Sequence, residues 1–144
     1  MDEMEKLKSF WRGKRVFITG NTGFKGSWLS LVMLNLGAEV KGFSLKPEKD
    51  KSLYVKLKLE DNSNSIYGDI RNEKLLTDEL RSFKPEIVFH MAAQPLVRRS
   101  YIDPLETIST NVVGTFNVMQ ACRSVESIKS VISVTTDKCY LNKE

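Results

Sequence analysis

Gly20, Gly23 and Gly26 recur at every third position directly behind the apolar run Val16-Phe17-Ile18 and Thr19. That spacing suits the capture of a pyrophosphate. The anion must reach backbone N–H groups at the start of a helix, where donors lack intrahelical acceptors and the helix dipole attracts negative charge. Gly20 permits a tight turn out of the strand, Gly23 lets the backbone approach the phosphates, and Gly26 lets the next helix pack closely on the sheet. Thr22, Phe24 and Lys25 lie between them. Glycines also punctuate ordinary loops, but a strand before and an amphipathic helix after supply the context of a dinucleotide loop.

A second group, Thr136-Asp137-Lys138, follows the apolar stretch 129–135. An acid and a base side by side can divide proton donation from proton abstraction, Asp137 as acid if burial raises its pKa and Lys138 as base if its pKa falls toward neutrality. The same residues also suit a solvated turn in which the two charges pair at little gain. Both readings stand on the residues alone. Asp69 is open in the same way, since Gly68-Asp69 before a helix is a common turn and capping pattern. Ala92 and Ala93 suit either a backbone surface on which a cofactor lies or a packed corner. His90, the only histidine, reads as a satisfied structural group at a strand end rather than a catalyst. Arg98 and Arg99 read as surface and carry no assigned role, and Asn111 is expected to orient the backbone of the rim.

Positioning such groups takes a regular frame. Residues 16–19 predict a strand and 27–36 a helix with Trp28, Leu31, Val32 and Leu36 on one stripe, closed by Gly37. Residues 39–44 predict a second strand, 46–64 a lysine-rich loop with a short helix, and 65–67 a short third strand. Residues 71–83 predict a helix with Leu75, Leu76, Leu80 and Phe83 inward, stopped by Lys84-Pro85. A fourth strand at 87–89 leads into a loop at 91–101. Pro104 then opens a long helix carrying Leu105, Ile108, Val112, Phe116, Met119 and Val125, followed by a fifth strand at 129–135. The alternation predicts an α/β fold, a doubly wound parallel sheet of about five strands with helices on both faces. Ligands of such sheets sit beyond the carboxyl ends of the strands. The segments 20–26, 68–70, 90–94 and 135–138 all fall there.

At 144 residues the chain fits one domain, a size that buries about 70% of its unfolded surface and needs no staples. With 41% hydrophobic and 28% charged residues the composition is that of a globular protein, which excludes disordered and fibrous classes. Residues 1–15 are charged and lack the apolar centre of a leader, and the apolar stretch 28–36 falls far short of the ~20 residues that cross a bilayer. A cytoplasmic protein without a membrane partner is expected. Cys122 and Cys139 show no metal-ligand spacing and predict reduced thiols and no metal. The net charge of +4 concentrates in Lys46, Lys49, Lys51, Lys56 and Lys58 without stacking aromatics beyond Tyr54, which predicts a solvated loop and no nucleic-acid partner.

Residues 19–26, Gly68-Asp69-Ile70-Arg71, His90-Met91-Ala92-Ala93-Gln94-Pro95, Thr110-Asn111-Val112-Val113-Gly114-Thr115 and Val134-Thr135-Thr136-Asp137-Lys138-Cys139-Tyr140 together resemble the extended short-chain dehydrogenase/reductase superfamily, in its NAD-dependent epimerase/dehydratase family. Within it the chain is most similar to nucleotide-sugar 4,6-dehydratases, nearest the branch that acts on CDP-glucose. Lys138 is the discriminating residue, because dTDP-glucose enzymes carry an acid there. The resemblance implies a Rossmann-type domain holding NAD through Gly20, Thr22, Gly23, Phe24, Lys25, Gly26, Asp69, Ile70, Met91, Ala92, Ala93, Gln94 and Thr110. Asp69 would bond the adenine amino group and Ile70 pack by the ring. It further implies a lyase of nucleotide-sugar and O-antigen metabolism. Hydride leaves C4 of the hexose for NAD, water is eliminated across C5 and C6, and hydride returns to C6. Asp137 would protonate the departing hydroxyl, Lys138 take the C5 proton, and Thr136 bond a sugar oxygen. A homodimer is implied for the full-length form.

Two departures from the family pattern stand out. The end of the second strand reads Ser44-Leu45-Lys46 where an acid usually grips the ribose about 20 residues after the glycines, so NAD over NADP rests on the resemblance. The superfamily's Tyr-x-x-x-Lys pair is also missing from its expected place: the one instance, Tyr54 to Lys58, precedes the third strand and reads as coincidence. The expected organisation is an extension over 1–12, a NAD(P)-binding domain over 13–144 that is incomplete at its C-terminus, and no substrate domain within these residues. Alone they are expected to be inactive. A non-catalytic dinucleotide-binding module, or an epimerase or reductase of the same superfamily, are the alternatives.

Overall fold

The computed structural model describes residues 2–47, 52–136 and 141. β1 (Arg15–Thr19) is the central strand of an all-parallel sheet ordered β3-β2-β1-β4-β5. Its neighbours are β2 (Glu39–Ser44) and β4 (Ile87–His90), with β3 (Asn64–Tyr67) and β5 (Ser130–Ser133) outside them. Val16, Phe17, Ile18 and Thr19 are all fully buried, as expected of a strand covered on both faces. The register sets Thr19 beside Phe43 and His90, and His90 beside Ser133, so the carboxyl ends of these strands share one edge.

Each parallel step requires a crossover, and the crossovers cover both faces. On one face α4 (Glu73–Phe83) and α7 (Thr115–Arg123) bury Leu76, Leu80, Val118 and Ala121 against Phe17, Phe43 and Val88. A fully buried leucine such as Leu80 contributes about 2 kcal/mol from area alone. Lys41 of β2 reaches the same face and pairs with Glu79 at 2.6 Å. On the other face α2 (Phe24–Asn35) sets Met33 against Val16, Ile18 and Val40. The short α3 (Leu53–Lys56) buries Tyr54 completely, its hydroxyl donating to Ser65 Oγ at 2.7 Å. Tyr54 is thus a core residue, and its spacing to Lys58 carries no chemistry.

Several sequence expectations change. Residues 3–11 form a helix, α1 (Glu3–Trp11), whose Trp11 ring lies 6.4 Å from that of Phe89. The 91–101 segment is not all loop: α5 (Val97–Ile102) occupies its end. The expected inward stripe of α2 is rotated, for Trp28 and Val32 are exposed while Gly26, Ser27, Ser30 and Met33 are buried. Small residues hold that face because the helix runs close to the chain beneath it. The long helix is really α6 (Pro104–Ile108), a π-helical turn (Ser109–Gly114) and α7 in succession. Leu105, Ile108, Val112 and Phe116 lie exposed on it, and the core face is made by Gly114, Asn117, Val118, Ala121 and Cys122.

Candidate functional site

Gly20 leaves β1 at φ +74°, in the left-handed region that favours glycine. Its N–H donates to the Phe43 carbonyl at 2.9 Å, and a Cβ there would stand 2.7 Å from the Ala92 nitrogen. The glycine loop and the 91–94 loop are therefore in backbone contact, with no room for a side chain between them. Gly26 is packed as tightly, but on the loop itself: a Cβ would overlap the Gly20 carbonyl and lie 2.8 Å from Asn21 Cα. The close approach expected between helix and sheet is thus one between the first turn of α2 and residues 20–21. Gly23 differs from both. It is exposed, it caps α2 without a side chain, and a Cβ there would meet only the Gly20 carbonyl at 3.3 Å. No acid occupies the first turn of α2, so nothing negative competes for the positive helix end.

Asn21 and Ser44, given no role in the sequence reading, hold this loop in place. Fully buried Asn21 donates through Nδ2 to Ser65 Oγ at 2.9 Å and accepts at Oδ1 from Ser44 Oγ at 2.9 Å. Ser44 Oγ in turn accepts from Thr22 N–H at 3.3 Å, and Thr22 Oγ1 donates to the Leu45 carbonyl at 3.0 Å. One carboxamide therefore joins the carboxyl ends of β1 and β2 to Ser65 within β3. Only polar side chains in and just past consecutive strands could have signalled it. Phe24 and Lys25 are exposed on the first turn of α2, and Lys46 is exposed past β2.

Asp69 follows β3 with its carboxylate in the fork of Arg71: Nε donates at 3.0 Å and Nη2 at 2.6 Å, while Arg71 N–H donates to Oδ1 at 2.9 Å. The Arg71 hydrogen bonds hold the carboxyl below its ordinary value, against the opposing effect of burial. Arg71 also donates to Ser109 Oγ at 3.4 Å, linking Asp69 to the π-turn. Ile70 is 3% exposed and packs in the core against Gly114, where a Cβ would stand 2.5 Å from Ile70 Cδ1.

The 91–94 loop is held at both ends. Thr19 Oγ1 accepts from Met91 N–H at 3.1 Å and Ala92 N–H at 3.2 Å. The Asn111 carboxamide accepts from Gln94 N–H at 2.7 Å and donates to the Gln94 carbonyl at 3.0 Å, the orienting role expected of it. The Gln94 side chain turns back to Thr107 Oγ1 and Leu96, while Ala93 is exposed and Thr110 lies half-buried in the π-turn. Thr136 lies exposed beyond β5; Asp137, Lys138 and Cys139 fall outside the described residues. Arg99 pairs with Glu106 and Asp103 on the surface, and burial pushes the Cys122 thiol up to about 11, which removes it as a nucleophile. Among the described residues no helix is long and apolar enough to cross a membrane, and no cluster of three or more His, Cys, Asp or Glu could hold a metal.

Sheet order, crossovers and a glycine loop on the carboxyl edge define a doubly wound α/β domain of the Rossmann type. Residues 17–142 match the family described as GDP-mannose 4,6 dehydratase, and the chain belongs to that family. CDP-glucose 4,6-dehydratase of Salmonella typhimurium is 54% identical over 137 residues, which cover 95% of this chain and 38% of that protein. Among solved structures, the epimerase Mth375 of Methanothermobacter thermautotrophicus superposes with a TM-score of 0.83 at 22% identity over 97% of this chain and 40% of that one, a likeness of fold. UDP-glucose 4-epimerase of Thermus thermophilus, solved in complex with NAD, superposes with a TM-score of 0.69 at 28% identity over 81% of this chain and 36% of its own. The chain thus spans well under half the length of these relatives.

Proposed function

We propose that the chain is the cofactor-binding portion of an NAD-dependent nucleotide-sugar 4,6-dehydratase acting on CDP-glucose. The observation that carries this is the packing of the glycine loop on the 91–94 loop beside the helix start at Gly23, which no side chain caps. The residues fit the cofactor: bare N–H groups and a positive helix end for the pyrophosphate, and an acceptor at Asp69 for the adenine amine. Thr22, Phe24 and Lys25 border the phosphates, Ile70 backs the adenine wall from the core, and residues 91–94 with Thr110 line the other side. The similarity to the Salmonella dehydratase favours CDP-glucose as substrate, and the Thermus epimerase complex favours NAD.

Bound NAD supplies hydride acceptance and return. Thr136 is assigned to bond a sugar oxygen, Asp137 to protonate the departing hydroxyl and Lys138 to remove the C5 proton. Within these 144 residues the chain is assigned cofactor binding, and turnover is assigned to the whole enzyme. The working enzyme is a cytoplasmic homodimer of O-antigen sugar metabolism. Support for the dimer is the exposed apolar row Leu105, Ile108, Val112 and Phe116.

The test is calorimetric titration with NAD and mass spectrometry of CDP-glucose incubated with the protein expressed from its whole reading frame. NAD binding with a product lighter by one water is expected. Substrate left unchanged despite NAD binding points to a non-catalytic module, and an isomer of unchanged mass to an epimerase.

A further inference from the structure

The hydrogen bonds around His90 favour one protonation state of its ring. Thr19 Oγ1 accepts the Ala92 N–H at 3.2 Å and shares the Met91 N–H, at 3.1 Å, with its own backbone carbonyl at 3.2 Å. With two N–H groups directed at the oxygen, its own hydrogen is the one placed to face His90 Nδ1, 2.7 Å away, and Nδ1 accepts. The proton of the neutral ring then lies on Nε2, which donates to Thr115 Oγ1 at 2.9 Å. Thr115 Oγ1 passes its hydrogen to the Asn111 carbonyl at 2.7 Å, inside the π-turn. Asn111 holds Gln94 by two hydrogen bonds. A single directed chain therefore runs from the 91–92 amides through β1, His90 and the π-turn back to the far end of the same loop.

We propose that His90 is a positioning residue: neutral and protonated on Nε2, it fixes the 91–94 loop and the π-turn against the glycine loop, and so sets the width of the groove in which the dinucleotide lies. The proposal rests on the cofactor reading above. A second proton on the ring would set an Nδ1 hydrogen against the Thr19 hydroxyl hydrogen across 2.7 Å, and the chain would have to break at one end. Burial, which lowers the imidazole pKa, works in the same direction. The polar groups of the packed elements that meet the ring are the hydroxyls of Thr19 and Thr115, neither titratable in this range. β1 carries its one charge, Arg15, at the opposite end, and β5 carries none. Glu106 and Arg123 lie about two turns to either side of Thr115 along the helix.

The test joins imidazole nitrogen NMR to NAD titrations between about pH 8 and about pH 5, across the range in which histidine ordinarily titrates. It uses the whole reading frame, with the His90 signals identified by their loss in His90→Gln. The expected spectrum has a protonated Nε2 and a bare Nδ1. The NAD dissociation constant should be flat above about 6.5 and rise as the ring protonates. His90→Asn keeps only an acceptor toward Thr19 and His90→Gln only a donor toward Thr115; each should weaken NAD binding about tenfold, the effect of one buried hydrogen bond, and flatten the pH dependence below 6.5. If these variants do not fold, Thr115→Val should give the same loss and Thr115→Ser restore affinity. A ring protonated on Nδ1 overturns the proposal, as does an affinity unchanged in His90→Asn or in Thr115→Val. A wild-type protein that binds no NAD at any pH overturns the cofactor reading and this proposal with it.

Discussion

The carboxylate of Asp69 reads differently in the sequence and in the structure, because its partner Arg71 sits two residues further on and only the turn brings the two together. Arg71 is exposed and Asp69 half-buried, so solvent screens the pair and Asp69→Asn should change stability by about 1 kcal/mol or less by denaturant titration. The same variant should weaken NAD binding about tenfold in calorimetry, since a neutral amide in the Arg71 fork is a poorer acceptor for the adenine amine. His90 gives a pH prediction of definite sign. Its folded pKa is lowered, so above about 6.5 the ring is neutral whether folded or unfolded and pH has no leverage. As pH falls below that value the unfolded chain takes up a proton that the buried ring resists, and stability drops. Melting temperatures between about pH 7 and about pH 5 should fall in the wild type and fall less in His90→Asn.

At the level of elements, the strands and α4 were legible because single patterns dominate them. Val16-Phe17-Ile18 is apolar throughout, and α4 sets Leu76 and Leu80 on one face. The Lys41–Glu79 pair fixes α4 to β2, and Glu79→Ala should cost about 3 kcal/mol in urea unfolding by leaving a buried ammonium without its partner. Where two patterns overlap, the sequence misled. The long helix carries apolar residues on two faces, and of the row chosen by spacing Val125 reaches the core while Leu105, Ile108, Val112 and Phe116 lie exposed, the core face being taken by Gly114, Asn117, Val118, Ala121 and Cys122. In α2 the close packing over the loop selects small residues, which hydrophobic spacing overlooks. At the site, the glycine loop was readable as a local string. The Asn21–Ser44–Ser65 and Thr19–His90–Thr115 networks were not, since each assembles residues from separate strands, a loop or a helix whose mutual placement no local pattern specifies.

For the whole molecule, one carboxyl edge gathers what the chain offers for binding: the 20–26, 69–71 and 91–94 loops and the π-turn. The exposed row on α6, the π-turn and α7 has a separate use in the proposed homodimer. Sedimentation velocity of the protein from its whole reading frame should show a dimer, and Phe116→Asp should give monomers, because a desolvated carboxylate in an apolar interface is costly. The central claim, that this edge is a dinucleotide site, is tested most directly by following backbone amide signals during NAD titration. Saturable shifts at residues 20–26, 69–71 and 91–94 are predicted, with little change in α1 or at the outer ends of α4. Shifts centred away from that edge, or none at NAD concentrations that saturate a related epimerase, would contradict it.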